Sequence, residues 1–232
     1  MAVHYRVEAG IATITIDRPE RRNAIDQATA HEISVSLGAA DADDQVRVIL
    51  LTGAGGDFSV GVDIEASRRG EVMRSPVNGF AGVTERVLKT PLIAAVEGCA
   101  LNEGFEIALA CDLIVAAEDA RFGIGQAREG RAPIAGGLVR LPRQLPSKIA
   151  AELILTAEMV SAAFVASYGL INRIALRGEA LSGARELAVK IAANDALAVE
   201  ICKRVLNESH DWRTGEMFSR QAAITAPARG CD

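Results

Sequence analysis

The most informative part of the sequence is residues 98–123, which read GCALNEGFEIALACDLIVAAEDARFG. An apolar strand there is followed by a tight polar turn, a helix with Glu106 in its first turn, and a second apolar strand. The free N–H groups and the dipole of a helix N-terminus stabilise a developing negative charge. Glu106 is therefore either a general acid or base, or only a complement to the helix dipole, and this segment alone does not separate the two interpretations.

The composition predicts a globular protein with an aliphatic core. Of 232 residues, 50% are hydrophobic but only 4% are aromatic, and the net charge is −5. This charge argues against nucleic acid as a partner, because nucleic-acid-binding proteins normally present a basic face. The sequence shows neither a secretory leader nor an apolar run of the ~20 residues that a membrane helix needs. We therefore expect a cytoplasmic protein without a membrane partner.

The four cysteines predict neither a disulfide framework nor a metal site. They form no CxxC or CxC pair, and their positions are Cys99, Cys111, Cys202 and Cys231. Isolated cysteines in mostly apolar surroundings are typical of reduced thiols in an intracellular protein.

Strand and helix signals alternate along the first two thirds of the chain. Strands are predicted at 12–16, 46–51, 92–98 and 113–119, with a helix from the N-cap Asp26 to about Ala40. This order favours an α/β fold with largely parallel pairing. After Pro146 the pattern is mostly helical, with a single strand at Leu170–Leu176. Residues 67–80 are interpreted as a mobile loop, either a substrate gate or an ordinary solvated loop.

One glycine-rich segment resembles a dinucleotide-binding turn but fails in its context. The segment is VRVILLTGAGG, residues 46–56. The third glycine of a G-x-G-x-x-G motif would fall on Phe58, and no long helix follows. A Rossmann fold is therefore rejected.

Four separated motifs together resemble the crotonase superfamily, the enoyl-CoA hydratase and isomerase group. They are ITIDRPERRNAID (14–26), GDFSVGVDI (56–64), the segment 91–123 and PIAGGLVRLPRQLP (133–146). The resemblance implies an α/β, ClpP-like spiral of ββα units at 1–190 and a helical C-terminal trimerisation region at 191–232. It implies a homotrimer or hexamer that acts on an acyl thioester, with coenzyme A as part of the substrate and no separate cofactor.

The resemblance also implies that this helical region is short. Family members usually continue past this point with a charged helix and a basic tail. The final residues, ITAPARGCD (224–232), show no helical periodicity.

The resemblance assigns roles to residues at two places in the site. The N–H groups of Val62 and Glu103 would stabilise the thioester oxygen, and Glu106 would act as a general acid or base. The second carboxylate of the family falls on Gln126. Coenzyme A would be held largely by backbone groups of two segments, RRNA (21–24) and FSVGVDI (58–64), with arginines near its phosphates. The residues singled out are Arg22, Ala24, Val62, Asp63, Ile64 and Arg68.

Two of these positions depart from the family pattern. Glycine is usual where Glu103 stands; a carboxylate there would repel the enolate if it pointed inward and would cost little if it pointed outward. Gln126 is an amide, which orients water but neither accepts nor releases a proton at neutral pH. Glu129 would replace it only if that segment brought it into the pocket, and a solvated Glu129 is the preferred interpretation.

Three classes of function remain open from the sequence. The first is an enoyl-CoA hydratase of fatty-acyl metabolism, and the second is an enoyl-CoA isomerase that needs one carboxylate. The third is an acyl-CoA-binding homologue without catalysis. Glu106 favours the first two, whereas Gln126 and Glu103 favour the third. The hydratase is placed first because the family framework is so complete.

Overall fold

The computed structural model describes residues 2–228, and these contain eleven strands and nine α-helices. The strands are β1 (Val3–Glu8), β2 (Ile11–Ile16), β3 (Val48–Gly53), β4 (Arg74–Ser75), β5 (Gly79–Phe80), β6 (Leu92–Val96), β7 (Cys99–Leu101), β8 (Leu113–Ala117), β9 (Arg121–Gly123), β10 (Val160–Ser161) and β11 (Arg173–Ala175). The helices are α1 (Gln27–Ala42), α2 (Ile64–Arg68), α3 (Glu103–Ala110), α4 (Gly137–Gln144), α5 (Ser147–Thr156), α6 (Ala162–Ser167), α7 (Ala180–Ala192), α8 (Ala196–Glu208) and α9 (Met217–Thr225).

The main sheet has six strands in the order β1-β2-β3-β6-β8-β11. Only the β1–β2 pair is antiparallel, and the other neighbours are parallel. The central strands β3 and β6 are almost wholly buried, since helices cover both faces of a parallel sheet. On one face, Ala184 and Ala188 of α7 pack against Ile93 and Val115. The predicted α/β class with mostly parallel pairing is confirmed.

A smaller sheet positions the N-terminus of α3. It has the order β10-β9-β7, with β7 parallel to β9 and β10 antiparallel to it. Because α3 begins directly after β7, its first turn lies beside the segment that leaves β9. A hydrogen bond from Asn102 N–H to the Gly123 carbonyl (2.8 Å) holds the start of α3 against the end of β9.

Several predicted boundaries differ from the structure. The strand expected at 46–51 begins at Val48, because Val46 N–H closes a turn onto the Asp43 carbonyl. The loop expected at 67–80 contains the end of α2 and the antiparallel pair β4–β5. The predicted strand at 170–176 shortens to β11, and β10 is a strand that the sequence did not predict.

The C-terminal region is also more helical than predicted. Helix α9 extends to Thr225, and residues 226–228 form a 3-10 turn. The prediction of no helix from residue 224 onward is therefore wrong for 224–228, and residues 229–232 lie outside the described part. The expected division after residue 190 falls within α7 and stays a prediction. No helix in residues 2–228 is both long enough and apolar enough to cross a membrane.

Aromatic packing anchors α3 on the smaller sheet, and this anchor is testable. The Phe105 ring is fully buried and meets the Phe122 ring of β9 edge-on, with centroids 5.2 Å apart. We expect Phe105→Ala to lower the free energy of unfolding by about 3–5 kcal/mol in urea denaturation, because it leaves a cavity. Val87→Ala is the control, since Val87 is an apolar side chain that is 93% exposed. Equal effects of the two substitutions would contradict this packing account.

Candidate active site

The backbone at the start of α3 adopts an unusual conformation one residue before Glu103. Asn102 has φ 52° and ψ −126°, whereas Glu103 has no positive φ. Asn102 is held there because its Oδ1 accepts a hydrogen bond from Gly125 N–H (2.8 Å). A glycine at position 103 is therefore not required for backbone conformation, and Glu103 carries no strain of this kind.

The Glu106 carboxylate is fully buried and held by backbone donors at the start of α4. Its Oε1 accepts hydrogen bonds from Ala135 N–H (2.9 Å) and Gly137 N–H (2.7 Å). Glycine at 137 matters here, because an added β-carbon would lie 3.1 Å from that oxygen. One edge of the carboxylate is thus fixed, and the other edge, Oε2, faces the site.

Gln126 is buried between the two carboxylates of the site. Its Nε2 donates to Glu106 Oε2 and to Glu103 Oε1, both at 3.3 Å. Its Oε1 is buried and has no hydrogen-bond partner within residues 2–228. The NH₂ end of the amide thus faces the two acids, whose oxygens accept its hydrogen bonds. Gln126 therefore links them through a single donor group.

The Glu103 side chain points inward. It is only 7% exposed, and its Oε2 accepts a hydrogen bond from Val62 N–H (3.1 Å). An outward orientation, the harmless alternative for this position, is excluded by this contact. Gly61 makes it possible, since a β-carbon at 61 would collide with Glu103 Oε2.

The two predicted oxyanion donors lie close together, but only one of them already donates a hydrogen bond. A β-carbon on Gly61, the residue before Val62, would stand only 2.9 Å from the Glu103 nitrogen. Val62 N–H is taken by the Glu103 carboxylate, whereas Glu103 N–H has no acceptor among residues 2–228. A thioester oxygen that uses both donors must therefore displace Glu103 Oε2.

Burial and a neighbouring charge change the acidity of Glu106. The pKa of Glu106 is raised from 4.5 to about 7; burial is the largest cause, and the nearby Glu103 carboxylate also acts to raise it. The N–H groups of Gly137 and Ala135, together with the Arg140 guanidinium, oppose that rise. A group with a pKa near neutrality exchanges protons readily at physiological pH, as a general acid or base must.

The two segments expected to hold coenzyme A run side by side. Ile25 N–H donates to the Gly61 carbonyl and Asp63 N–H to the Ile25 carbonyl, both at 2.8 Å. The Arg18 guanidinium joins them, with contacts to Asp26 (3.0 Å) and Asp63 (3.1 Å). The Asp63 carboxylate also caps α2, so its role in this structure is to position the segment.

The other predicted binding residues differ in accessibility. Arg22 pairs with Asp57 (2.8 Å), and about half of its side chain is exposed. Ala24 is buried, whereas Ile64 and Arg68 are exposed. Glu129 is exposed and pairs with Arg131, so it lies outside the site.

Sequence reasoning missed Asn23, which holds the loops behind the site together. Its amide donates to the carbonyls of Ala54 (2.8 Å) and Asp57 (2.6 Å), and its Oδ1 accepts from Arg18 N–H (2.9 Å). Asn23 is fully buried and has φ 55°. The available signal was an asparagine inside a turn, because asparagine tolerates positive φ better than most residues.

The raised pKa of Glu106 predicts a dependence of stability on pH. The folded state binds this proton more tightly than the unfolded chain, so the group stabilises the fold below about pH 4.5. That contribution is lost as the pH rises through about 7. Glu106→Gln removes the titration, and its stability relative to the wild type should increase by about 2–3 kcal/mol between pH ~5 and ~8. Denaturation at both pH values checks this, and a constant difference would contradict it.

Comparisons with known proteins agree with the fold. The model of the enoyl-CoA hydratase/isomerase family matches residues 6–224. A carnitinyl-CoA dehydratase from Escherichia coli O157:H7 is 38% identical over 223 residues, which cover 94% of this chain and 85% of that protein.

Solved structures show the same similarity. An enoyl-CoA hydratase from Mycobacterium marinum superimposes with a TM-score of 0.96 at 43% identity, covering 98% of this chain and 90% of that one. An enoyl-CoA hydratase from Mycobacterium tuberculosis H37Rv gives 0.97 at 42%, covering 100% and 91%. The expected spiral fold is thereby confirmed, and the chain belongs to the enoyl-CoA hydratase/isomerase family, within the crotonase superfamily.

Proposed function

We propose that this protein adds water to, or removes water from, the C2–C3 bond of an acyl-CoA thioester. The observation that carries the proposal is Glu106, a fully buried carboxyl group with a pKa near 7 at the N-terminus of α3. Hydration and dehydration both place negative charge on the thioester oxygen, as an enolate. They also require a proton to move at C2.

The backbone around Glu106 suits both requirements. The N–H groups of Val62 and Glu103 lie together and would donate to the enolate oxygen, and losing one such donor typically costs ~10²–10³ in rate. Glu106 Oε1 is fixed by two backbone donors, so Oε2 is the atom left to exchange a proton with substrate. Gln126 would orient water through its buried Oε1, which has no partner among the described residues.

The segments 21–24 and 58–64, which the backbone contacts of Ile25 keep side by side, would hold coenzyme A. Their backbone groups and the half-exposed guanidinium of Arg22 are available to the adenine, the pantetheine and the phosphates. In this proposal Ala24, Val62, Asp63 and Ile64 act mainly through their backbone, because Asp63 is committed to Arg18 and to capping α2. Coenzyme A is then part of the substrate, and no separate cofactor takes part.

Similarity to carnitinyl-CoA dehydratases supports the hydratase and dehydratase direction. Assembly as a homotrimer or hexamer and a cytoplasmic location belong to the same proposal. Apolar side chains exposed on the C-terminal helices, among them Leu206 and Phe218, favour assembly.

Two other functions are supported by specific contacts. A non-catalytic acyl-CoA-binding protein is favoured by the carboxylate of Glu103 on Val62 N–H and by the amide at position 126. An enoyl-CoA isomerase is favoured by Glu106 alone, because one base shuttles the proton in double-bond migration.

The hydratase proposal is tested with Glu106→Gln and the matched control Glu129→Gln. Loss of the proton-carrying group should lower the hydration rate of crotonyl-CoA by ~10²–10⁴ while acyl-CoA affinity is retained. The control should keep wild-type activity, because Glu129 is exposed and pairs with Arg131. An absorbance assay of enoyl-CoA loss and calorimetry with an acyl-CoA provide the two measurements.

Three outcomes would overturn the proposal in favour of another function. Tight acyl-CoA binding by the wild type without turnover identifies a binding protein. Conversion of a 3-enoyl-CoA to the 2-enoyl-CoA without hydration identifies an isomerase. Absence of both binding and turnover shows that the protein does not act on coenzyme A thioesters.

A further inference from the structure

Hydration needs two groups that exchange protons, and Gln126 is not one of them. One group takes a proton from water, and the other gives a proton to C2. Within residues 2–228, the carboxylates that hydrogen-bond to Gln126 are those of Glu103 and Glu106. Glu129, the nearest acid along the chain, is exposed and paired with Arg131. Glu103 is thus the acid placed where a second proton carrier is needed.

The surroundings of Glu103 are those of a proton-carrying group. Its carboxylate is 7% exposed and receives hydrogen bonds from Val62 N–H and Gln126 Nε2. No lysine, arginine or histidine within residues 2–228 forms a salt bridge with it. Its carboxylate meets the same amide donor as that of Glu106, so the two acids face one small part of the site.

We propose that the Glu103 carboxylate is the second proton-transfer group of the thioester site, in the role that Gln126 is unable to perform. The inference rests on the proposed hydratase function. It assigns Gln126 to holding the Glu103 carboxylate beside Glu106 through Nε2.

The step balances with one proton on Glu106 at the start. In hydration, the water oxygen bonds to C3 and the proton of that water passes to the Glu103 carboxylate. The C2–C3 π bond breaks, and its electrons take the proton that Glu106 holds. Glu103 then returns its proton to Glu106 by exchange with solvent. Dehydration reverses each transfer, and neither direction needs an oxidant or a reductant.

Thioester binding must first release one contact of Glu103. The thioester oxygen takes Val62 N–H, so Oε2 leaves that donor, while Oε1 keeps its contact with Gln126 Nε2. Rotation about the side-chain bonds is enough, because Glu103 has no ion pair in the described residues to break. The carboxylate is then released toward the reacting atoms at the moment the substrate occupies the oxyanion site.

The discriminating experiment is the hydration of crotonyl-CoA by Glu103→Gln. This variant keeps the size of the side chain and an acceptor for Val62 N–H, but it cannot carry a proton. We expect kcat to fall by ~10²–10⁴ with acyl-CoA affinity retained. We also expect the high-pH limb of the pH profile to move to lower pH. The charged groups that face Glu106 are Glu103 on α3 and Arg140 on α4, and the variant removes the one that raises its pKa.

A second pair of variants shows whether Glu103 transfers a proton or only blocks Val62 N–H. Glu103→Gly should be slow, and the double variant Glu103→Gly/Gln126→Glu should recover at least tenfold, since it returns a carboxyl group to the site. Turnover of Glu103→Gln or Glu103→Gly at or above the wild-type rate would overturn the inference, because Glu103 would then only block Val62 N–H. A slow Glu103→Gly without recovery in the double variant would overturn it too, in favour of a positioning role. Failure of the hydratase proposal is seen separately, as a wild type without turnover or a Glu106→Gln variant without loss.

Discussion

The site depends on one side-chain amide that lies between two buried carboxylates. Gln126 Nε2 donates to Glu103 and to Glu106, and no other side-chain donor in the described residues reaches either acid. Without that amide, oxygens of two buried carboxyl groups would face each other without a hydrogen-bond donor, which is costly. The raised pKa of Glu106 and the inward direction of Glu103 both belong to this arrangement. Burial sets the acidity, and the amide sets the geometry.

The surrounding fold keeps this arrangement rigid. The parallel strands β7 and β9 bring the start of α3 beside the turn that carries Gln126, and Asn102 ties the two together. On the other side, Asn23 and Arg18 fasten the segment that contains Val62. Backbone donors and buried polar side chains supply most of these contacts. The site is therefore built on fixed elements and not on mobile loops.

Much of the fold and part of the site could be predicted from the sequence. Hydrophobic periodicity located most strands of the main sheet, and motif order identified the family and singled out Glu106. The direction of the Glu103 side chain could not be predicted, because it depends on the space left by Gly61, a residue distant in sequence. The contacts of Gln126 with Glu103 and Glu106 could not be predicted from the sequence either, because they join side chains from separate elements. Local patterns locate elements, whereas contacts between elements decide what a side chain does.

The most direct test is a titration of the glutamate side chains by NMR, with ¹³C in the carboxyl groups. We expect one glutamate to titrate with a midpoint of about 7, and we expect its signal to be absent from Glu106→Gln. In Glu103→Gln, that midpoint should move to lower pH, because the neighbouring negative charge is gone. Titration of every wild-type glutamate near its ordinary pKa would contradict the role of Glu106 as the proton-carrying group of this site.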